Sequence, residues 1–430
     1  MDDNDQSQNP TRRRVAGALG LALLTPAVGA GTAQAATARR HPGRDRAPLT
    51  LVLPAPTGPY SVGTTSMHLV DASRSDPWVS PTRRRELMVS LWYPARPGHG
   101  KGVAPQLPAG TAARFGALAE KEFSIRAGGV DWAPTPTHSV VGAPVLRQRG
   151  GLPVVLYSPG KDVPRGFGTV LAEDLASRGY VVVAVDHTHE SLAVEFPGGR
   201  LEEKQPATET RGLRALVDVR VADVRFVLDC LEALNAGAAP DASRRPLPAR
   251  LARSLDLSAI GMFGHSLGGA TTAQVMHDDQ RIVAGANLDG GTGSGPDSVG
   301  TVVDDGLDRP FLLMSSILGN SRHPALATFW QHLRGWRCNI QMLSASHYSY
   351  TDLQAQLPRI AEAGAMPTER LREAVGTVAA ARSLHVQRTY LGAFLDSHLR
   401  HRPDHGLFDG PSPAFPEVEF IDRAGEWRGE

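Results

Sequence analysis

Gly264-His265-Ser266-Leu267-Gly268-Gly269 sets one serine between glycines, after an apolar run at residues 259–263 and ahead of a helix-like stretch at 270–276. Glycines suit a plain turn, but at a strand-to-helix corner they also let a serine hydroxyl stand clear at the carboxyl edge of a sheet. A serine hydroxyl attacks weakly at neutral pH unless a base removes its proton, so a histidine must reach it from another loop. Downstream histidines stand at 277, 323, 332, 347, 385, 398, 401 and 405. His347 alone directly follows a late strand-like run, NIQMLSAS, whereas His323 comes after a longer loop and ranks second. His332 reads as a helix-surface residue, and His265 is expected to point away from the nucleophile and pack.

The imidazole in turn needs a carboxylate to hold its tautomer. The loop after PFLLMSS contains no acidic residue, and Asp304, Asp305 and Asp308 precede that run. Elimination leaves Asp289, immediately after IVAGANL, whose other reading is an Asp-Gly turn. Charge developing on an attacked carbonyl requires two backbone N–H donors. One comes with the serine corner, the amide of Leu267; the other is expected at Lys161, after LPVVLYS and the bend at Gly160. Lys161 is not a phosphate-loop lysine, because Val155 stands where that loop needs glycine and no Ser or Thr follows.

These residues need a frame, and short apolar runs alternate with helical patterns along the chain. The runs are ELMVSLWYP, LPVVLYS, YVVVAVD, AIGMFGHS, IVAGANLD, PFLLMSS and NIQMLSAS. Among the helices, residues 213–234 repeat Val217, Val221, Val224, Leu228 and Leu231 opposite Asp218, Asp223, Arg225, Asp229 and Glu232. Strands apolar on both faces predict a mainly parallel sheet with helices on both sides, an α/β class. Residues 101–138 and 350–375 fit no sheet strand and are candidates for segments over the site, or for surface excursions.

With 430 residues, 41% hydrophobic and 21% charged, the chain can bury a large core, and a net charge of +1 gives no bulk attraction for nucleic acid. Arg12–Arg14, a glycine-diluted apolar stretch and Ala33-Gln34-Ala35 read as an export signal over residues 1–35, with a polar tether at 36–48 and one catalytic domain at 49–430. Paired arginines suggest the twin-arginine route, although Val15 and Ala16 stand where Phe-Leu is expected. No other stretch approaches a bilayer span, so a secreted protein with no stable membrane span is expected. An oxidising destination permits a Cys230–Cys338 bridge, but a buried free thiol suits Cys230 within its helix better.

The chain resembles the α/β hydrolases, and more narrowly the plasma-type platelet-activating-factor acetylhydrolases with their secreted bacterial relatives. The resemblance spans roughly residues 50–420 through PTGPYSVGT, RRRELMVSLWYPA, LPVVLYSPG, LASRGYVVVAVDHTHES, ADVRFVLDCLEAL, GHSLGGAT, ANLDG and SASHYSYTD. It implies a serine ester hydrolase with a Ser266, Asp289 and His347 triad, oxyanion amides at Lys161 and Leu267, no cofactor and no metal. Short to medium acyl esters, small-molecule or lipid, are the implied substrates. A triacylglycerol lipase, a polyester hydrolase or an acyltransferase shares the same residues, and a retired binding module is the alternative outside enzymes. The family's oxyanion turn has His-Gly where this chain has Pro159-Gly160-Lys161-Asp162. Asp162 must therefore face solvent or a cation such as Arg165. His187, His189 and Glu190 are expected as rim residues and as scaffolding behind the catalytic groups, rather than a metal site.

Overall fold

The structure is a computed structural model and describes residues 47–293, 295, 298–316 and 324–422. The expected export signal, most of the tether and His323 lie outside these residues. Eleven strands form the main sheet: β1 (Val62–Asp76), β2 (Ser80–Pro94), β3 (Val103–Pro105), β4 (Pro136–Val141), β5 (Leu152–Ser158), β6 (Val181–Asp186), β7 (Leu255–His265), β8 (Ile282–Leu288), β9 (Phe311–Ser316), β10 (Arg337–Met342) and β11 (Val418–Asp422). Their order is β11-β10-β9-β8-β7-β5-β6-β2-β1-β4-β3. The six from β10 to β6 run parallel. β11 closes one edge antiparallel, and the β1–β2 hairpin extends the other.

The longer helices are α1 (Ala109–Glu122), α2 (Thr169–Ser177), α3 (Gly212–Ala236), α4 (Leu267–Asp278), α5 (Pro324–His332), α6 (Leu353–Glu362), α7 (Thr368–Val375) and α8 (Ala380–Arg400). Every residue of β5, β6 and β9 is buried, as continuous apolar runs require when helices cover both faces. Alternation then sorts the side chains. Val154, Leu156, Val181 and Val183 pack with α3 and α4 in one core, while Val155, Tyr157, Val182 and Ala184 pack with α2 and α8 in the other. The fold is an α/β hydrolase fold, with the mainly parallel sheet expected from the sequence.

Cys230 lies in the first core and Cys338 in the second, on opposite sides of the sheet; both are free and buried. A bridge between them is excluded by that separation. Residues 101–138 correct the expectation of no strand, since β3 and the start of β4 fall within them. The rest of that segment and residues 350–375 share a third core, where α1 meets α6 and α7 through Phe115, Phe123, Leu357 and Val375.

Beneath one end of the sheet lies an ion network that the sequence did not announce. Arg85 on β2 is wholly buried and forks onto Asp223 of α3 at 3.0 and 2.6 Å, with further bonds to Asp76 at 3.0 Å and the Thr188 carbonyl at 2.7 Å. Burial pushes the Asp223 carboxyl up, but the Arg85 charge and the bonds from His187 and Arg85 more than reverse this, leaving it well below the ordinary carboxylate range. Asp76 is lowered in the same way, burial being opposed first by the His189 hydrogen bond and then by Arg85.

Arg85→Met leaves these carboxylates buried without their main cation, a loss of about 3–5 kcal/mol. Arg74 keeps one 3.0 Å contact with Asp223 and places the expected loss near the lower end of that range. Carboxyls depressed in the folded state stabilise above their unfolded pKa and lose that contribution as pH falls through the lower folded value. Between pH 7 and 5 they therefore give the wild type no slope. In the variant burial pushes Asp223 up, so it takes a proton on folding and the penalty shrinks toward pH 5. Urea denaturation at both pH values measures this; a penalty under about 1 kcal/mol at pH 7 contradicts the network's role.

Candidate active site

β7 ends at His265 and α4 begins at Leu267, so Ser266 alone makes the corner, at φ 54° and ψ −124°. An L-residue held there is strained and needs its surroundings to enforce it. Tight approach does so: a β-carbon on Gly264 would sit 2.1 Å from the Gly268 carbonyl oxygen, and one on Gly268 would sit 1.9 Å from that of Ser158. The Ser266 amide donates to the Leu288 carbonyl at 2.9 Å, and the Asp289 amide to that of Met314 at 2.7 Å. Both residues are thereby fixed at the carboxyl edge of neighbouring strands.

Ser266 Oγ lies 3.0 Å from His347 Nε2, and His347 Nδ1 lies 2.7 Å from Asp289 Oδ2. The three residues singled out from the sequence thus converge. Asp289 is fully buried, while the imidazole side chain keeps 41% of its surface exposed. The Asp289 carboxylate also accepts the Ser316 amide at 2.8 Å and the Ser316 hydroxyl at 3.2 Å. Burial pushes this carboxyl up, yet the bond and charge of His347 with the Ser316 amide outweigh it, and its pKa is lowered. It stays ionised at neutral pH and favours a proton on Nδ1, which frees Nε2 to face the hydroxyl.

His347 opens a short 3-10 turn, His347–Tyr350, after β10. Ser346 and Ser349 cap that turn reciprocally, and their hydroxyls donate to the Glu373 and Val375 carbonyls at 2.6 and 2.8 Å. Asp352 accepts the Thr169 and Val170 amides of α2 at 3.1 and 3.0 Å and the Gln106 side chain at 2.8 Å. Segments 101–138 and 350–375 are thereby tied to the histidine loop and to the helix after the Gly160 turn. His265 departs from expectation: it is buried as a packing residue, but its ring lies 4.6 Å from that of His347. Its Nε2 donates to the His347 carbonyl at 3.0 Å. Burial, and then His347, lower its pKa to about 3, so it is neutral.

The Gly160 turn abuts the serine, because a β-carbon on Gly160 would sit 3.3 Å from Ser266 Cβ. Neither the Lys161 nor the Leu267 amide donates to a partner among the described residues. Asp162 is paired with Lys204 at 2.8 Å, not with Arg165, which is committed to Asp186. Lys161 Nζ bonds Glu209 at 2.7 Å, and Lys204 also contacts Glu209, so two cations face two carboxylates at the mouth. Asp162 Oδ1 is nevertheless buried without a partner among the described residues, and burial outweighs the lysines and pushes its pKa up.

His187, His189 and Glu190 are buried, which agrees with scaffolding and corrects the rim half of the expectation. His187 bridges Asp223 at 3.0 Å and the Ser158 hydroxyl at 3.1 Å, and His189 bridges Asp76 and Glu202 at 3.0 and 3.1 Å. Burial, then the Arg220 charge, lower the His187 pKa, which keeps the ring neutral. Glu190 forks with Arg220 of α3 at 2.6 and 2.5 Å. Asp223 and Arg220 are thus core groups, and Asp223 corrects its placement opposite the apolar stripe of the helix; the helical period alone could not separate it from Asp218. No group of three or more His, Cys, Asp or Glu suited to a metal occurs among the described residues.

The family profile described as platelet-activating factor acetylhydrolase, isoform II, matches residues 50–292. Over 409 residues the chain is 30% identical to a probable 1-alkyl-2-acetylglycerophosphocholine esterase of Arthroderma benhamiae, covering 87% of this chain and 95% of that protein. It is 26% identical to the platelet-activating factor acetylhydrolase of Cavia porcellus, over about half of each chain, 55% in both cases. A solved ferulic acid esterase from Streptomyces cinnamoneus superposes with a TM-score of 0.71 at 37% identity, over 87% of this chain and all of that one. Profile, near full-length relative and solved fold agree with one another, and this chain belongs to the platelet-activating factor acetylhydrolase isoform II family, serine hydrolases acting on ester bonds.

Proposed function

We propose that the chain is an exported esterase that cleaves short and medium acyl esters through an acyl-enzyme on Ser266. The line from Ser266 Oγ through the imidazole to Asp289, at 3.0 and 2.7 Å, carries this reading. His347 Nε2 takes the serine proton as Oγ bonds to the acyl carbon, and the carbonyl oxygen gains a negative charge held by the Leu267 and Lys161 amides. Collapse expels the alcohol, which takes the proton back from His347; water, deprotonated by the same nitrogen, then releases the acid. The reaction needs no metal or organic cofactor. Export rests on residues 1–35, and the described residues contain no helix long and apolar enough to cross a membrane.

The names of the acetylglycerophosphocholine esterase and acetylhydrolase relatives favour a small acyl group. A fluorophosphonate probe is expected to label one residue, Ser266, located by peptide mass. Rates on p-nitrophenyl esters from acetate to palmitate are expected to fall beyond butyrate. Rates that rise with chain length favour a lipase, and product appearing on an added alcohol favours an acyltransferase. Absence of labelling overturns the acyl-enzyme. The 37% identity with a ferulic acid esterase supports a second reading, an aromatic acyl group; methyl ferulate turned over faster than butyrate esters selects it.

A further inference from the structure

We infer that Arg220 is a positioning residue that turns the second oxyanion amide toward the nucleophile. Its side chain is 2% exposed, as is that of Glu190, which holds it by two bonds at 2.6 and 2.5 Å. The guanidinium then donates to the Pro159 carbonyl at 2.6 Å, the Gly160 carbonyl at 3.1 Å and the Ser158 hydroxyl at 3.3 Å. Ser158 is held from its other side by the neutral His187, itself fixed on Asp223.

Every peptide bond described here is trans, and in a trans peptide the C=O and the following N–H point in opposite directions. Drawing the Gly160 carbonyl inward to the buried cation therefore sends the Lys161 N–H outward, and that amide has no acceptor among the described residues. The turn is the stretch that lies beside Ser266, where a β-carbon on Gly160 would come within 3.3 Å of Ser266 Cβ. Without the fork, the Gly160 carbonyl keeps only the Val163 amide at 3.2 Å, and Gly160, which carries no side chain to fix its torsions, can then rotate the 160–161 plane. A flipped plane presents a carbonyl oxygen where the oxyanion forms, replacing attraction with repulsion. A buried ion pair is weak evidence of stabilisation, since apolar residues of similar volume often serve the fold as well. Three donations converging on one turn are what a smaller or uncharged side chain cannot supply.

The inference rests on the acyl-enzyme reading above, and the test separates the two. Arg220→Met combined with Glu190→Met removes both charges together, so that neither is left buried without its counter-ion while the turn loses its three donations. Arg220→Lys keeps the charge but reaches fewer acceptors. For the double variant kcat on p-nitrophenyl acetate is expected to fall about 100-fold, as when one oxyanion donor is lost, with KM within about threefold. Affinity for a trifluoromethyl ketone, whose serine adduct bears the same oxyanion, is expected to fall by a similar factor. Arg220→Lys is expected to fall about tenfold in kcat with KM again unchanged, as weaker support of the same donor. A folded double variant with kcat within threefold of wild type overturns the inference, as does a loss confined to KM. If the double variant does not fold, Arg220→Lys decides by the same threefold limit. Full turnover in Ser266→Ala would instead overturn the acyl-enzyme itself.

Discussion

Ser266→Ala is expected to lower kcat on p-nitrophenyl acetate about 10⁶-fold, and adding His347→Ala to it to change the rate little further. The two side chains act as one device: with its hydroxyl 3.0 Å from Nε2, each is useful only through the other. Removing the hydroxyl leaves an imidazole with no proton to take, and removing the imidazole leaves a neutral alcohol that attacks poorly. The oxyanion donors survive in both variants, so the residual rate is expected to exceed the uncatalysed one by about 10³–10⁴. Fluorophosphonate labelling disappears with the serine. Additive losses in the double variant would show separate roles, and more than about 1% of wild-type turnover in Ser266→Ala would move the nucleophile to another residue. The substitution leaves the corner's packing intact, because the constraints on φ lie in Gly264, Gly268 and the Ser266 amide bond to Leu288. Its melting temperature is therefore expected to stay close to that of the wild type.

The parts of this site that were legible in the sequence are those that chain order fixes. Buried parallel strands appear as unbroken apolar runs, so β5 to β10 were visible, and a residue directly after such a run must emerge at one edge. Ser266, Asp289 and His347 each follow a run, which is why elimination among loops could reach them. β1 was not visible: VGTTSMHLVDASRSD mixes Thr, Ser, Asp and Arg at positions that face a half-exposed edge, and no apolar run marks it. Arg220 and Asp223 were hidden for a different reason. A helical period sorts charges by face, but these charges lie on the buried side, and what makes them tolerable is their partners. Those partners, Arg85 on β2 and Glu190 after β6, come from distant parts of the chain. Lys204, which neutralises Asp162, is likewise 42 residues away from it.

Asp289→Asn separates charge from shape at the far end of the relay, and kcat is expected to drop about 10⁴-fold while the fold is kept. The backbone at 289 has φ 57°, a left-handed conformation that asparagine accepts more readily than most residues. Ser316 decides which way the new amide points. Its main-chain N–H donates to Oδ1 at 2.8 Å, so the amide oxygen must take that position and the NH₂ must take the place of Oδ2, facing His347 Nδ1. An N–H there can be met only by an unprotonated Nδ1, which moves the ring proton to Nε2. The imidazole then offers a donor to Ser266 Oγ and has no lone pair with which to accept its proton. Lost charge adds to the wrong tautomer, because the imidazolium formed during attack no longer has its buried carboxylate at 2.7 Å. Asparagine is accordingly expected to cost at least as much as Asp289→Ala, although it preserves volume and the Ser316 bond, since alanine leaves the ring free to choose its tautomer. Single-turnover acylation with p-nitrophenyl acetate, with thermal unfolding as the control on folding, measures the effect. An asparagine variant within tenfold of wild type shows that the carboxylate neither orients nor stabilises the base.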